Sequence, residues 1–551
     1  MALNPNMVFA RALVANLAVN GVTRFVLSPG SRSGPLAHAL AEAASAMPPS
    51  GAPAIDLHVR IDERSAAFLA LGLSLASGAP VAVVTTSGTA VGNLLPAVME
   101  AHHAGVPLLL LTADRPYDLR GTGANQTTDQ RGIFKNFVRW STDAVFPTAG
   151  RDLEAEAGSL ARMALCQALG AATVGVSDTG GPGPVHLNLQ FAEPLGPDHG
   201  AWPRPEPSEF LYVAETSVPP LPTSRAGIVI AGHGGGPGAA VIATTHGWPL
   251  LAEPSSGARI GGACVPGYVE LLETEAGRAL AAEAEFVLVV GRPTLARSIR
   301  RLMDSAPRLW VARHGAQWRE APDHAEEVFA DVPFSWLRDA PDDGDAVVES
   351  RWQTRWQDAA EGSRSIEGSG AWGVRGVVAA IGRSLRGGDS LVLGSSGAVR
   401  AADAWLPIRP ALDQPRVYSN RGLAGIDGTV ATALGIALGG EAPVTALMGD
   451  ITFLYDAAAL LIGPRERQPS LRIVVLNDGG GTIFAGLGHA SAEPEAFERV
   501  FTTPHGASIG AIARAYGAQH VEVRSVAALE GILAKPATGI EIVEAMLEVP
   551  A

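Results

Sequence analysis

Two segments decide the fold: MGDITFLYDAAALL (residues 448–461) and LRIVVLNDGGGTIF (residues 471–484). An apolar run ends in a polar side chain at each of them, at Asp450 in the first and at Asn477 in the second. Short apolar runs bounded by small and polar residues are typical of strands in a buried parallel sheet. Because ligands bind where parallel strands end, we expect Asp450 and Asn477 at the same edge of one sheet.

The oxygen atoms expected at this edge suit a hard divalent cation. Asn477 lies 27 positions after Asp450, and Gly479 follows with a backbone carbonyl. A carboxylate, an amide oxygen and a carbonyl suit Mg²⁺, which takes its remaining positions from water and a diphosphate. The alternative is that both side chains only cap the loops that follow their strands.

A repeated order of strand, small-residue loop and helix extends along the chain. The junctions after the first strands read RFVLSPGSRS, DLHVRIDERS, VAVVTTSGTA and LLLLTADRP. This order predicts an α/β fold with parallel sheets flanked by helices and joined by right-handed crossovers. The stretch GHGGGPG (residues 232–238) is interpreted as a tight turn, because no acidic residue ends a second strand at the distance that a dinucleotide site requires.

Two segments without periodicity divide the 551 residues into three predicted domains. Residues 196–225 are rich in proline, and residues 341–370 contain an acidic, apolar-poor stretch, so both are interpreted as linkers. The predicted domains are therefore residues 1–195, 226–340 and 371–551.

Composition favours a protein that acts on small molecules. Hydrophobic residues make up 47% and charged residues 17%, which suits well-filled α/β cores. The formal net charge of −14 would repel nucleic acid and anionic lipid. Two cysteines, no signal-peptide pattern and no apolar run of ~18 residues predict a cytoplasmic protein without a transmembrane segment.

Arginine is concentrated in the loops that follow the predicted strands. Arg32 lies in SPGSRSGPL, Arg115 in TADRP, Arg400 in SSGAVR and Arg421 in SNRGLAGIDG. A guanidinium group forms two parallel hydrogen bonds to a carboxylate, so four around one cleft suit substrates with several carboxylates. Scattered surface ion pairs are the alternative explanation for any one of them.

A second candidate anion site lies where Ser395 and Ser396 precede a predicted helix. Free backbone amides and the helix dipole favour an anion there, and Arg400 lies four residues after Ser396 on the same helix face. An ordinary helix cap with a solvated arginine explains the same residues equally well.

Taken in order, these motifs resemble those of the 2-succinyl-5-enolpyruvyl-6-hydroxy-3-cyclohexene-1-carboxylate synthases, a family of thiamine-diphosphate enzymes. The series is SPGSRS, RIDERSAAF, TTSGTA, TADRP, GANQTTDQ, SNRGLAGIDG, GDITFLYD and LNDGGGTIF. The resemblance covers most of the first and third domains and is thin in the middle one. It departs from the usual Gly-Asp-Gly and Asn-Asn of the cofactor motif at Ile451 and Asp478.

The resemblance implies a thiamine-diphosphate-binding fold with a pyrimidine domain, a central domain and a diphosphate domain. It implies that a buried Glu63 donates to the aminopyrimidine ring, so that the imino form removes the C2 proton. An isolated acidic residue at that position would only complement the helix dipole. It also implies that Ile426 supports the bent cofactor and that Asp450, Asn477 and Gly479 bind Mg²⁺, or Mn²⁺ in its place.

The resemblance implies three sets of site residues. The catalytic residues are Glu63, Gln126 and Arg32. The cofactor-binding residues are Glu63, Ser87, Gly88, Ser395, Ser396, Ile426, Gly449, Asp450, Ile451, Asn477, Gly479, Gly481, Thr482 and Ile483. The substrate-binding residues are Ser31, Arg32, Arg115, Asn125, Gln126, Ser396, Arg400, Arg421, Ile483, Phe484 and Leu487, with Arg297 as a further candidate.

The implied reaction joins 2-oxoglutarate to isochorismate, with loss of CO₂, in menaquinone biosynthesis. Active sites formed by two subunits would make the protein a homodimer or a homotetramer. One alternative is another thiamine-diphosphate enzyme, such as an acetohydroxyacid synthase or a decarboxylase, which would need fewer arginines and accept pyruvate. The other is a binding protein that has lost catalysis, against which the presence of Glu63, Asp450 and Asn477 argues.

Overall fold

The computed structural model describes residues 3–170, 181–208, 218–313, 322, 324–338, 351–363, 371–410 and 413–548. These residues form three sheets in which every pair of neighbouring strands is parallel. The prediction of an α/β fold with parallel sheets is therefore confirmed. None of the helices in the described ranges is long and apolar enough to cross a membrane.

The first sheet has six strands in the order β2-β1-β3-β4-β6-β5. Its strands are β1 (Arg24–Leu27), β2 (Asp56–Val59), β3 (Val81–Thr85), β4 (Leu108–Asp114), β5 (Trp140–Ala144) and β6 (Val185–Gln190). Its helices are α1 (Pro5–Val19), α2 (Gly34–Ala43), α3 (Glu63–Ser77), α4 (Thr89–Gly92), α5 (Leu95–Ala104) and α6 (Leu153–Ala168). The central strands β3, β4 and β6 are buried throughout, which explains their continuous apolar runs.

The second sheet has five strands in the order β11-β10-β9-β7-β8. Its strands are β7 (Gly227–Ala231), β8 (Leu250–Ala252), β9 (Phe286–Val290), β10 (Leu309–Ala312) and β11 (Glu327–Phe329). Its helices are α7 (Gly238–His246), α8 (Tyr268–Glu273), α9 (Glu275–Ala282), α10 (Arg297–Ser305) and α11 (Arg351–Ser363). The glycine-rich stretch 232–238 joins β7 to α7, as its interpretation as a strand-to-helix turn predicts. The expectation that no acidic residue ends a second strand was wrong, because Glu253 directly follows β8, but its carboxylate is bound to the amides of Thr294 and Leu295.

The third sheet has six strands in the order β13-β12-β14-β15-β17-β16. Its strands are β12 (Ser390–Leu393), β13 (Arg416–Tyr418), β14 (Val444–Gly449), β15 (Leu471–Asn477), β16 (Gln519–Val523) and β17 (Ile540–Met546). The helices in this part of the sequence are α12 (Val374–Ser384), α13 (Gly397–Trp405), α14 (Thr429–Gly439), α15 (Asp450–Asp456), α16 (Pro494–Phe497), α17 (Ile509–Ala515) and α18 (Val526–Leu533).

The segment 341–370, interpreted as a linker, contains helix α11. Trp352 and Trp356 of this helix are buried in the core beneath the second sheet. They lie four residues apart and therefore on one face of the helix. The acidic, polar residues around them conceal this pattern in the sequence, so the interpretation of residues 351–363 as linker was wrong.

The chain divides into two compact units that do not follow its sequence order. The first unit consists of Met1–Val213, Asp427–Glu441 and Asp456–Pro469. The second consists of Ala214–Ile426, Ala442–Tyr455 and Ser470–Ala551. Helix α14 therefore belongs to the same compact unit as the first sheet, although the sequence predicts it within the third domain.

Small residues let α3 and α14 pack at close range within the first unit. A Cβ atom on Gly72 of α3 would lie 2.1 Å from the carbonyl oxygen of Thr432, and one on Gly435 of α14 would lie 2.2 Å from that of Leu69. Both distances are far below van der Waals contact, so glycine is required at these crossing points.

Substituting Gly72 tests this packing. We expect Gly72→Ala to lower the free energy of unfolding by about 1 to 3 kcal/mol, because the new methyl group must push two helix backbones apart. Gly531→Ala is the matched control, since a Cβ there meets nothing within 4 Å inside α18. That control should gain about 0.5 to 1 kcal/mol from helix propensity. Thermal unfolding of the three proteins measures both effects, and equal midpoints would contradict the packing argument.

Candidate active site

The register of the third sheet places Asp450 and Asn477 beside each other. Gly449 of β14 pairs with Leu476 of β15, so the next residue of each strand lies at the same edge. Asp450 is 2% exposed. Its Oδ1 accepts a hydrogen bond from the amide of Ile451 at 2.6 Å, and its Oδ2 lies 3.2 Å from Nε2 of His505. The prediction of a shared sheet edge is confirmed.

The amide group of Asn477 has a fixed orientation. Its Nδ2 donates to Oε1 of Glu544 at 2.6 Å, and the other carboxylate oxygen of Glu544 lies 2.7 Å from Nε2 of His520. Its Oδ1 accepts from the amide of Gly479 at 3.1 Å. Because Nδ2 of Asn477 donates to Glu544, the orientation of the amide is fixed, and Oδ1 is the atom of this side chain that could bind a cation. No sequence pattern indicated Glu544, which lies on β17, 67 residues away.

A second carboxyl group, that of Asp478, interacts electrostatically with Asp450 at this edge. Burial raises the pKa of Asp478, a hydrogen bond from the Thr482 hydroxyl opposes that rise, and the charge of Asp450 raises the pKa further. A bound cation would relieve this repulsion. No group of three or more His, Cys, Asp or Glu side chains in the described ranges is arranged to hold a metal ion. A cation here would therefore depend on the Asn477 amide and on backbone oxygens as well as on Asp450.

The start of α13 has an unusual backbone. Ser396 has a φ of 69°, in the region that non-glycine residues rarely adopt. Arg400 donates through Nη1 to the carbonyl oxygen of Ser396 at 2.8 Å, so both lie on one face of the helix, as predicted. Ser395 is buried, and its hydroxyl donates to the carbonyl oxygen of Asn420 at 3.4 Å. Such strained positions cluster at functional sites.

Arg421 is held by the loop that follows β9. Its Nε donates to Oγ1 of Thr294 at 3.1 Å, and its Nη2 donates to the carbonyl oxygen of Thr294 at 3.2 Å. Nη1 lies 3.5 Å from the hydroxyl of Ser395. Arg421, Thr294, Arg297 and Arg300 line a cavity of about 550 Å³. The structure thus places Arg421 and Arg297 at one cavity and adds Thr294, which the sequence did not indicate.

In the first unit, Arg115 forms hydrogen bonds to two loops, one containing Ser87 and the other Gln126. The residue is buried, and its Nη1 donates to the Ser87 hydroxyl at 2.5 Å and to the carbonyl oxygen of Gln126 at 2.7 Å. Gln126 has a φ of 55°, and its Nε2 donates to the carbonyl oxygen of Ser87 at 3.0 Å. Burial, followed by the charge of Arg32, lowers the pKa of Arg115. The structure therefore brings Arg115, Ser87 and Gln126 together.

A cavity of about 460 Å³ adjoins these loops, with Gly88, Gln126 and Ile133 in its wall. Arg32 donates through Nη1 to the carbonyl oxygen of Phe191 at 2.9 Å, and its Nη2 lies 3.5 Å from the carboxylate of Glu193. Arg32 is thus anchored at the end of β6 by backbone and carboxylate oxygens.

Glu63 is the first residue of α3, as predicted, but it is only partly buried. Its Oε2 accepts from Nδ2 of Asn93 at 3.2 Å, a partner that the sequence did not reveal. The helix cap itself is Asp62, whose side chain accepts from the amides of Arg64 and Ser65. The expectation of a buried glutamate is therefore not met within this chain. Asp62 therefore caps the helix, and Glu63 lies in its first turn, where an acidic residue also complements the helix dipole.

The remaining predicted residues differ in exposure. Ser31, Asn125 and Leu487 are exposed, and Ile426, Ile451, Gly481, Ile483 and Phe484 are partly buried. Residues Thr482–Gly486 form a single 3₁₀ turn after β15, and the amide of Gly481 donates to the carbonyl oxygen of Thr502 at 2.6 Å. The ring of Phe484 packs against Phe501 with centroids 5.7 Å apart, which positions this turn.

A buried polar network lies beneath the Gly88 loop. Oε1 of Gln130 accepts from the amide of Gly88 at 3.3 Å, and Nε2 of Gln130 donates to Oδ1 of Asn188 at 2.6 Å. The hydroxyl of Thr112 donates to the same Asn188 oxygen at 3.2 Å and lies 2.7 Å from Nε2 of His186. The sequence missed these residues because most of them lie inside the buried strands β4 and β6.

Comparisons with known proteins agree with this geometry. The benzoylformate decarboxylase from Polynucleobacter necessarius has the same fold, with 17% identity and a TM-score of 0.68 over 100% of this chain and 99% of that one. Residues 7–133 match the thiamine pyrophosphate enzyme N-terminal TPP binding domain, and residues 404–542 match the C-terminal TPP binding domain. The two domain matches, on a chain with this fold, define a thiamine-diphosphate enzyme.

Full-length relatives identify the family. This chain is 44% identical to 2-succinyl-5-enolpyruvyl-6-hydroxy-3-cyclohexene-1-carboxylate synthases from Arthrobacter sp. (strain FB24), over 97% of this chain and 88% of that one, and from Renibacterium salmoninarum, over 98% and 94%. The synthase from Kineococcus radiotolerans is also 44% identical, over 98% of this chain and 96% of that one. The chain belongs to the family of these synthases, which confirms the resemblance seen in its motifs.

The network beneath the Gly88 loop predicts a pH dependence of stability. Burial lowers the pKa of His186 from 6.5 to about 4. Below pH 6.5 this histidine is protonated in the unfolded chain but stays neutral in the folded chain. The free energy of unfolding therefore keeps its full value above that pH and falls as the pH decreases toward 4. We expect this residue to remove roughly 2 kcal/mol of stability between pH 7 and pH 5.

Denaturant unfolding at both pH values measures this effect. His186→Gln should show a smaller loss of stability on acidification than the unsubstituted protein, because a neutral amide takes up no proton. The exposed His489 provides the control His489→Gln, which should leave the pH dependence unchanged. An unchanged pH dependence in His186→Gln would show that this histidine is not held neutral by burial.

Proposed function

We propose that the protein joins 2-oxoglutarate to isochorismate, with loss of CO₂, in menaquinone biosynthesis. The product is then 2-succinyl-5-enolpyruvyl-6-hydroxy-3-cyclohexene-1-carboxylate, the compound in the name of its relatives. The observation that carries the proposal is the cavity wall that contains Arg421, Arg297 and Arg300. With Arg292, four arginines line this cavity, and such a concentration suits a substrate with several carboxylates and exceeds what pyruvate would need.

The residues at the acidic sheet edge fit a magnesium ion with a diphosphate. Asp450 would supply a carboxylate oxygen, Asn477 its amide oxygen and Gly479 its carbonyl. The fixed orientation of the Asn477 amide and the repulsion between Asp450 and Asp478 support this assignment. When bound, thiamine diphosphate supplies a nucleophilic carbon that attacks the keto group of a 2-oxoacid and accepts the electrons released by decarboxylation.

Protein side chains then have distinct tasks around that chemistry. Glu63 would donate a hydrogen bond to the aminopyrimidine ring and so promote loss of the C2 proton. Ser87 and Gly88 would form the wall beside the ring, on the loop that Arg115 and Gln126 fix in place. The remaining predicted cofactor contacts are Ser395, Ser396, Ile426, Gly449, Ile451, Gly481, Thr482 and Ile483.

Arginines would bind the carboxylates of both substrates. Arg421 and Arg297 line one cavity, and Arg32 lies in the loop after β1 of the other unit. The other proposed substrate contacts are Ser31, Arg115, Asn125, Gln126, Ser396, Arg400, Ile483, Phe484 and Leu487. Gln126 and Arg32 are proposed to act directly on the reacting groups, with Glu63.

We also propose that two subunits complete each active site, in a homodimer or a homotetramer. Glu63 is only partly buried, and the neighbouring Ile61 is 70% exposed. A glutamate that acts in a water-excluded site needs further cover, and a second subunit would supply it.

The direct test is a product assay with thiamine diphosphate, Mg²⁺, 2-oxoglutarate and isochorismate. Loss of isochorismate is followed by absorbance and the adduct by mass spectrometry, with pyruvate as the alternative donor. We expect an adduct from 2-oxoglutarate and none from pyruvate. Turnover of pyruvate alone would assign the protein to another class of thiamine-diphosphate enzyme, and no turnover of either would indicate a binding protein.

Glu63→Gln separates cofactor binding from catalysis. We expect thiamine diphosphate to bind with nearly unchanged affinity while turnover falls by about 100-fold or more, because the amide is a poor proton donor. Glu154→Gln is the matched control, since Glu154 also lies in the first turn of a helix but outside the site. Turnover should be normal in the control. Normal turnover in Glu63→Gln would disprove the role given to this residue.

A further inference from the structure

A buried carboxylate after β8 supports the loop that holds Arg421. Glu253 is 2% exposed and immediately follows Leu250–Ala252. Its Oε1 accepts hydrogen bonds from the amides of Thr294 at 2.5 Å and Leu295 at 2.8 Å. Its Oε2 accepts from the hydroxyl of Thr294 at 3.1 Å. All three bonds go to the loop after β9, about 41 residues along the chain.

The hydroxyl of Thr294 connects this carboxylate to Arg421 in a defined direction. A hydroxyl has one proton and two lone pairs. Since Nε of Arg421 can only donate, Oγ1 accepts from it at 3.1 Å, and its single proton is free to go to Glu253. The carbonyl oxygen of Thr294 accepts a second bond from Nη2 of Arg421 at 3.2 Å. Two of the five guanidinium N–H groups are thereby fixed by one residue.

The surroundings of Glu253 act on its carboxyl in two opposite directions, and burial has the larger effect on its pKa. Burial raises the pKa of Glu253, while the amides of Thr294 and Leu295 and the charge of Arg421 lower it. Three hydrogen bonds to a buried carboxylate hold the Thr294–Leu295 loop in place, and removing the carboxylate would leave those donors without a partner.

We propose that Glu253 is a positioning residue for substrate recognition, acting on Arg421 through the hydroxyl of Thr294. These two anchors hold the guanidinium group at the cavity wall, so its capture of a substrate carboxylate needs less rearrangement. This inference rests on the proposed function in one respect, namely that Arg421 binds a dicarboxylic substrate.

Thr294 offers a matched pair of variants. Thr294→Val keeps the shape of the side chain but removes the hydroxyl, while Thr294→Ser keeps the hydroxyl. We expect Thr294→Val to raise the KM for at least one of the two substrates by about 10-fold, with kcat changed less than about 3-fold, because a binding group is displaced and the reacting centre is not. Thr294→Ser should keep that KM close to its value in the unsubstituted protein, within about a factor of two.

Glu253→Gln tests the hydrogen bond between the Glu253 carboxylate and the Thr294 hydroxyl. The amide of glutamine would direct its own N–H at the Thr294 oxygen, so the same KM should rise by at least about 10-fold. In an Arg421→Lys background the Glu253→Gln change should add little, since both act on one contact. Thiamine-diphosphate affinity and the thermal midpoint are measured for every variant. If Glu253→Gln does not fold, the two Thr294 variants still test the positioning role. Neither variant removes the hydrogen bonds from the backbone amides of Thr294 and Leu295 to Glu253.

The outcomes separate this inference from the proposed function. If the unsubstituted protein failed to consume 2-oxoglutarate, the proposed function would be overturned. Normal turnover with equal KM values in Thr294→Val and Thr294→Ser would overturn the positioning role alone. A fall in kcat at constant KM in both Thr294→Val and Glu253→Gln would also overturn it, since that result would indicate an effect on the reacting groups instead.

Discussion

The in-register parallel pairing of β14 with β15 is the constraint on which the site depends. Gly449 lies opposite Leu476, so Asp450 and Asn477 emerge together where both strands end. A shift of one residue would turn one of these side chains to the other face of the sheet. The pairing of β15 with β17 adds Glu544, which fixes the amide of Asn477. The chemistry expected at this edge is thus a consequence of strand register.

The proposed substrate contacts depend on a different part of the molecule, the loops after β9 and β13. Arg421 follows β13, and its guanidinium group is held by Thr294 after β9. The second sheet has no predicted contact with the cofactor, but its Glu253 fixes that loop. The central part of the chain, where the motif resemblance is thin, therefore contacts an arginine of the third part through Thr294, and we propose that it positions this arginine.

The sequence predicted what depends on local pattern and missed what depends on packing between distant segments. Asp450 and Asn477 were predictable because apolar runs end at them, and Glu63 because it begins a helix after a strand. Glu253, Thr294 and Glu544 were not, since their contacts join residues 41 to 127 positions apart. The sequence did not predict the edge strand β5, WSTDA, because this strand is half-exposed and lacks an apolar run. The sequence did not predict helix α11, because its two buried tryptophans lie among polar residues.

The most direct test of the central claim is the binding of thiamine diphosphate with and without Mg²⁺, measured by titration calorimetry on the full chain, Asp450→Ala and Asn477→Ala. If the edge of β14 and β15 binds a metal ion and a diphosphate, the full chain will bind the cofactor only with Mg²⁺. Each variant will then lose about 10-fold or more in affinity. Unchanged, Mg²⁺-independent binding in both variants would contradict the account, because the two aligned side chains would then be loop caps only.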